Sequence, residues 1–307
     1  MKFGKLSNIE SVDFSLPPDA STNQNILATA TQKEGAAKHL QFYIGCTGWS
    51  MKEWVGTVYP KGTKTTDYLR HYGQQFNTIE LNTTHYRIPT LEMIAKWKDQ
   101  TPSDFRFCPK IPQTISHRRQ LGAYSSALTQ FADAIQGLEE RLGCCFMQLP
   151  PYFGSDRLPQ LTQFVEQFPN HIPLAIEVRH ESWFDTPNAA SGLVDLLQKH
   201  HMAWVLTDVA GRRDVLHMQL TNRTAMVRFV GNGLHPTDYS RIDDWVERLA
   251  TWYQQGLSEV YFFPHEPDNV LAPQLAAYLL EQVQKLSFVQ VRGPKLRDEQ
   301  EGQMSLF

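Results

Sequence analysis

Two short stretches decide the fold: FNTIELN at residues 76–82 and PLAIEVR at residues 173–179. Each is an apolar run with a carboxylate near its end, and each is followed by a longer segment of helical period. Successive side chains of an extended strand face opposite ways. Ile79 and Leu81 therefore share one side, and Glu80 and Asn82 the other. In the second stretch Ile176 and Val178 oppose Glu177 and Arg179. A strand that is apolar on one side and charged on the other near its end needs a helix layer on the first side and a site on the second.

Six further runs have this form: QFYIGC (41–46), FRFCPKI (105–111), GCCFMQLP (143–150), MAWVLTD (202–208), AMVRFVG (225–231) and EVYFFPH (259–265). Helix-like segments separate them at 65–75, 91–98, 123–142, 158–168, 189–200, 243–255 and 272–285. The segment VAGRRDVLHMQLTNR at 209–223 is the least helical connection. Alternating strand and helix implies an α/β fold with parallel strands. Eight such units over about 250 residues match a single (β/α)8 TIM barrel. A doubly wound open sheet is the rival, but no GxGxxG follows the first run, so its dinucleotide-binding form loses support. The expected organisation is an N-terminal arm at 1–40, loosely ordered and rich in Ser, Thr, Asn, Gln and Ala, a barrel at 41–288, and a flexible tail at 289–307.

Composition bounds the function. The chain has 307 residues, 41% hydrophobic and 20% charged, as in soluble globular proteins. A net charge of −3 argues against a generic nucleic-acid coat, which needs excess Lys and Arg. It leaves a local basic site open. No apolar run reaches the length of a membrane span. The start, MKFGKLSNIESVDF, lacks the apolar centre of a signal peptide. Cys46, Cys108, Cys144 and Cys145 form no CxxC pair, so a reduced, cytoplasmic compartment is expected, with the thiols serving as small buried residues.

In a TIM barrel the active site lies at the C-terminal ends of the strands. Parity and position bring Glu80, Asn82, Lys110, Gln148, Glu177, Arg179, Asp208, Arg228 and His265 there. The bland reading is a set of ion pairs tying strands together. The sharper one is a polar pocket for an anionic, phosphate- or carboxylate-bearing substrate. Lys110, Arg179 and Arg228 would bind the anion. Glu177 would serve as general acid or base, assisted by Glu80 and Asp208. Asn82, Gln148, Tyr86, Trp49 and His265 would complete the substrate contacts. No HxH or HExxH spacing announces a metal. Glu80, Glu177, Asp208 and His265 are the set that would converge on Mg²⁺ or Mn²⁺. Hydrolysis is the favoured reaction class. The alternatives are a non-catalytic binding module and a carbohydrate-active barrel using two carboxylates.

The segments YIGCTGWSMKEWVGTVYP, FNTIELNTTHYRIP, FRFCPKIPQTISH, FMQLPPYF, AIEVRHESWF and VRFVGN together resemble the YecE-like proteins, domain of unknown function 72. The resemblance runs in order from about residue 42 to residue 281. It implies a TIM barrel and carries no reaction with it. Family members end the eighth strand with an Asn-rich stretch, whereas this chain reads FFPHEP, so His265 departs from the pattern.

The chain ends EQEGQMSLF. Gln303, Met304, Ser305, Leu306 and Phe307 resemble, in order, the short peptide that docks bacterial proteins on the replicative sliding clamp. In such docking an extended peptide inserts an apolar pair into a preformed pocket, and the glutamine sets the register. The resemblance implies a clamp partner and work near DNA.

Overall fold

The structure, a computed structural model, describes residues 4–33, 39–122, 125–186 and 188–297. Among them strands and helices alternate, and every strand pairing is parallel. In the largest sheet β1 (Leu40–Ile44) lies between β9 (Glu259–His265) and β10 (Val289–Gln290). Beyond β9 come β8 (Thr224–Val230) and β7 (Leu206–Asp208). A second sheet pairs β2 (Thr78–Leu81) with β3 (Arg106–Pro109). A third joins β4 (Cys145–Gln148), β5 (Leu174–Glu177) and β6 (Ala203–Trp204). Each of the eight runs thus contains a strand. The sixth run breaks at Val205 into β6 and β7, and β10 lies outside the runs. The α/β class and parallel strands expected from the alternation are present, but the ladders are split among three sheets rather than running unbroken around one barrel.

The seams between sheets have local causes. Gly45 follows β1, and a Cβ there would lie 2.2 Å from the Thr78 carbonyl oxygen, so only glycine lets β1 and β2 approach. Side chains do much of the pairing at this seam. Asn77 accepts from Ile44 N at 2.8 Å and donates to the Phe42 carbonyl at 2.8 Å. The Tyr72 hydroxyl accepts from Cys46 N at 2.7 Å and donates to the Thr78 carbonyl at 3.0 Å. Glu80 N donates to the Cys46 carbonyl at 3.0 Å. Between β3 and β4 the seam is backbone: Gly143 N to Phe107 O and Ile111 N to Phe146 O, both 2.8 Å.

Helices cover the outward faces. The longest, α8 (Pro236–Gln255), buries Ile242, Trp245, Val246, Leu249 and Trp252 at helical spacing. Each such side chain stabilises by roughly 1.5–3 kcal/mol. Pro236 fits the first turn, and His235 and Asp238 cap each other's backbone N–H groups. Ile79 and Leu81 join this outer core, as their parity requires. An inner apolar layer includes Cys108, Phe146, Ala175, Val205, Met226 and Phe263. All four cysteines are buried and unbridged.

Within the stretch expected to be a loose arm, α1 (Asn23–Lys33) forms a helix. The Asn23 side chain donates to Met218 O at 2.6 Å and accepts from Leu220 N at 2.9 Å. Asp19 receives Arg248 at 2.6 Å and Trp252 Nε1 at 3.1 Å. Phe14 lies under the guanidinium groups of Arg241 and Arg213, 4.8 and 5.4 Å from them. Gly4 accepts from Gly211 N at 2.9 Å, a contact that any side chain on Gly211 would displace. Beyond β10, Arg292 pairs with Asp104 at 2.8 Å. Gln303, Met304, Ser305, Leu306 and Phe307 lie outside the described residues. Among the described residues no helix is long and apolar enough to cross a membrane.

Candidate functional site at the strand ends

The charged residues singled out by parity meet above the inner apolar layer, and Arg228 of β8 is their hub. Its Nε and Nη2 reach the two oxygens of Glu80 at 2.8 and 2.9 Å, a fork-to-fork pair. Its Nη1 reaches Glu177 at 2.5 Å. The other Glu177 oxygen accepts from Arg179 Nε at 2.5 Å. Asn82 donates to Glu80 at 2.9 Å, and His265 Nε2 lies 3.1 Å from the same carboxylate. Lys110 donates to the Gln148 side chain at 3.2 Å and lies 5.6 Å from the centre of the Phe146 ring. Strands β2, β4, β5, β8 and β9, with the residue just after β3, thus supply one cluster.

Glu80 is wholly buried and Glu177 is 1% exposed, so neither charge has water to support it. Burial raises the Glu177 acid, but Arg179 and Arg228 more than offset it and hold it at about 2. Burial likewise opposes the Glu80 charge, and Arg228 and His265 still draw it well below the usual carboxylate range. Lys110 moves the other way. Burial first, and then the neighbouring Arg228 charge, bring it down to about 8.

These shifts set the pH dependence of stability. Glu177 goes from an ordinary 4.5 to about 2 on folding. Its contribution is complete above pH 4.5 and is lost as pH falls toward 2. Urea unfolding from pH 7 to pH 2.5 should show that loss, on the order of 3 kcal/mol, and Glu177→Gln should flatten it. An unchanged acid limb in Glu177→Gln would show that the pair carries no such linkage. Lys110 has the opposite sign: between pH 8 and 10.5 the unfolded chain binds the extra proton, so stability rises with pH.

Three predicted residues lie elsewhere. Asp208 faces the helix layer. Strand register sets Thr207, not Asp208, opposite Arg228. The Asp208 carboxylate accepts from Arg241 at 2.7 Å, from Trp245 Nε1 at 2.8 Å, and from Arg213. It is a structural anion and no part of the Arg228 cluster. Trp49 packs edge-on against Trp97 with ring centres 6.0 Å apart. Tyr86 is 74% exposed and meets His85 edge-on. With Asp208 turned away, Glu80, Glu177, Asp208 and His265 do not converge. Among the described residues no group of three or more His, Cys, Asp or Glu side chains could hold a metal ion.

Two features escaped the sequence reading. Thr207 Oγ1 is buried without a hydrogen-bond partner and shares the parity of Arg228. Strict alternation through Ala203 and Val205 would have found it. A cavity of about 700 Å³ also opens beside His265. The arm residues Lys5, Leu6 and Ser7 line one side of it, and Asn232, His265 and Glu266 line the other. Glu266 is held there by N–H groups of Gly233 at 2.8 Å and Leu234 at 3.3 Å.

Parallel strands, an apolar inner layer and a charged cluster above it define an α/β protein with its candidate site at the C-terminal strand ends. The chain belongs to the DUF72 family, described as a protein of unknown function, whose model matches residues 43–299. The UPF0759 proteins YecE of Escherichia coli O157:H7 and K12 are each 33% identical over 261 residues, covering 79% of this chain and 93% of theirs. The UPF0759 protein YunF of Bacillus subtilis is 28% identical over 158 residues, 47% of this chain and 53% of that one. The crystal structure of a DUF72 family protein from Enterococcus faecalis V583 matches with a TM-score of 0.66 at 21% identity. That match covers 84% of this chain and 100% of the other, and it speaks for the fold alone.

Proposed function

We propose that this chain is an enzyme of the (β/α)8 barrel type that takes a small phosphate- or carboxylate-bearing substrate at the C-terminal ends of its strands. The barrel reading rests on the seams. Backbone hydrogen bonds link β1 to β2 and β3 to β4 across two of the gaps between sheets, and β6 and β7 follow each other in one run on either side of Val205, an order that supports a barrel. The inner apolar layer matches the filled interior of such barrels.

One observation carries the anionic substrate. Glu80 and Glu177 are matched by Arg228 and Arg179, and Lys110 stands beside them as an additional cation. The cavity beside His265 meets the cluster through that residue alone. The pairing also decides between chemistries. Both oxygens of Glu80 and of Glu177 already accept from cationic or amide donors. Neither carboxyl carries a proton to give at neutral pH, which weighs against hydrolysis by a carboxylate acid and against the two-carboxylate glycosidase scheme.

Inorganic phosphate, titrated at fixed ionic strength and read by calorimetry or thermal stabilisation, should bind saturably to the wild type. Lys110→Met should weaken binding about tenfold or more, an order of magnitude suited to one buried charge-assisted hydrogen bond. Phosphate binding unaltered by Lys110→Met, or no binding at all, would remove this reading. The full pairing of Glu177 also favours a second one, a binding module without catalysis recruited through residues 303–307. Saturable anion binding without turnover across a panel of phosphate and carboxylate esters would favour that reading.

A further inference from the structure

We propose that Lys110 is a nucleophilic amine, and that the anion held at the strand ends also carries an aldehyde or ketone carbonyl, which Lys110 takes as a Schiff base. This rests on the anion-site reading and names its substrate class: an oxo acid or a phosphorylated carbonyl compound.

Lys110 forms no direct ion pair, although Glu80 and Glu177 are near enough to support part of its charge. Among the described residues no carboxylate lies within ion-pair distance of its Nζ. The two carboxylates of the cluster are fastened to Arg228 and Arg179. Its hydrogen-bond acceptor is a neutral amide oxygen, that of Gln148. The Arg228 guanidinium lies 5.5 Å from the centre of the same Phe146 ring that Lys110 approaches at 5.6 Å. A buried ammonium beside a second cation loses its proton more readily, and a desolvated amine next to another cation is an activated nucleophile. The depressed Lys110 value agrees with this. The side chain is 8% exposed, as are Gln148 and Arg228, so the cluster is desolvated but not sealed.

The step balances simply. The Nζ lone pair forms a bond to the carbonyl carbon. The nitrogen's proton and one from solvent leave with the carbonyl oxygen as water, and a C=N bond remains. Arg228 and Arg179 stay tied to Glu80 and Glu177, so the positive charge that the substrate's anionic end would face is the iminium's own. With cyanoborohydride present, hydride adds to the iminium carbon and fixes a secondary amine on Lys110.

The test uses the full chain at pH 7.5 with cyanoborohydride and either glyoxylate or the neutral acetaldehyde. Peptide mass mapping follows the modification of each lysine in time, and the exposed Lys285 is the reference within each tube. Glyoxylate is expected to modify Lys110 at least about tenfold faster than Lys285, since an ordinary lysine near 10.4 is almost wholly protonated at this pH. Accessibility alone would give the reverse order. Inorganic phosphate should slow the labelling of Lys110 and leave Lys285 unchanged. Lys110→Arg should lose that one adduct and retain the others. Lys110 labelled no faster than Lys285 by either reagent, while phosphate still binds, would overturn the amine and spare the anion site. Preferential labelling equal for both reagents, with no protection by phosphate, would support the amine and remove the anion site.

Discussion

Arg228→Met should lower the free energy of unfolding by about 3–5 kcal/mol, the range for removing one partner of a buried ion pair. Arg228 makes three charge-assisted bonds to two carboxylates that are 0% and 1% exposed. After the substitution Glu177 keeps Arg179, while Glu80 keeps only His265 and Asn82. The deficit should therefore shrink as pH falls, because Glu80 can take up a proton in the variant. Adding Glu80→Gln and Glu177→Gln should recover part of the loss at pH 7. Urea unfolding of the three proteins at pH 7 and pH 5 measures all of this. A loss below about 1 kcal/mol, the size of a surface pair, would mean that water already supports these charges.

Asp208→Ala should cost a similar amount, about 3–5 kcal/mol, by a different route. Arg241 is 1% exposed and would keep Asp238 and the backbone carbonyls of Val230 and residue 208. Arg213 would lose Asp208 while still bound to the carbonyls of Phe14 and Ser15 at 3.2 and 3.1 Å. Since both guanidinium groups also support the Phe14 ring, the first residues should loosen from the body. Limited trypsin digestion should then cut after Lys5 much faster than in the wild type, under conditions where the rest of the variant stays folded. Phosphate affinity should be retained, because Asp208 lies outside the Arg228 cluster. A variant that keeps its stability and loses phosphate binding would restore Asp208 to the site.

Much of the candidate site could be read from alternation alone. Glu80, Asn82, Lys110, Gln148, Glu177, Arg179, Arg228 and His265 all lie in or next to the cluster, because a strand leaves its side chains only two directions. Asp208 was misread where the sixth run bends: its polar terminus suggested a site residue, while the alternation of Ala203, Val205 and Thr207 already excluded it. Which charges pair was beyond reach, since Asp208 meets Arg241 from 33 residues away and Arg228 meets Glu80 from 148. The polar contacts of the arm were beyond reach for the same reason. Asn23 and Asp19 look like loop residues until the distant backbone of Met218 and the side chain of Arg248 are set beside them. Trp49 and Tyr86 carried no parity signal, as both follow the ends of strands rather than sit within them.

The arm has a consequence for the order of events during synthesis. Asn23 leaves the ribosome first, yet its partner Met218 lies 195 residues further along. At about 5–20 residues per second, roughly 10–40 s separate the two. Lys5, Leu6 and Ser7 wait longer still, because Asn232 and His265 on the other side of the cavity are made after Met218. Until then the cavity beside His265 lacks the wall that the arm supplies.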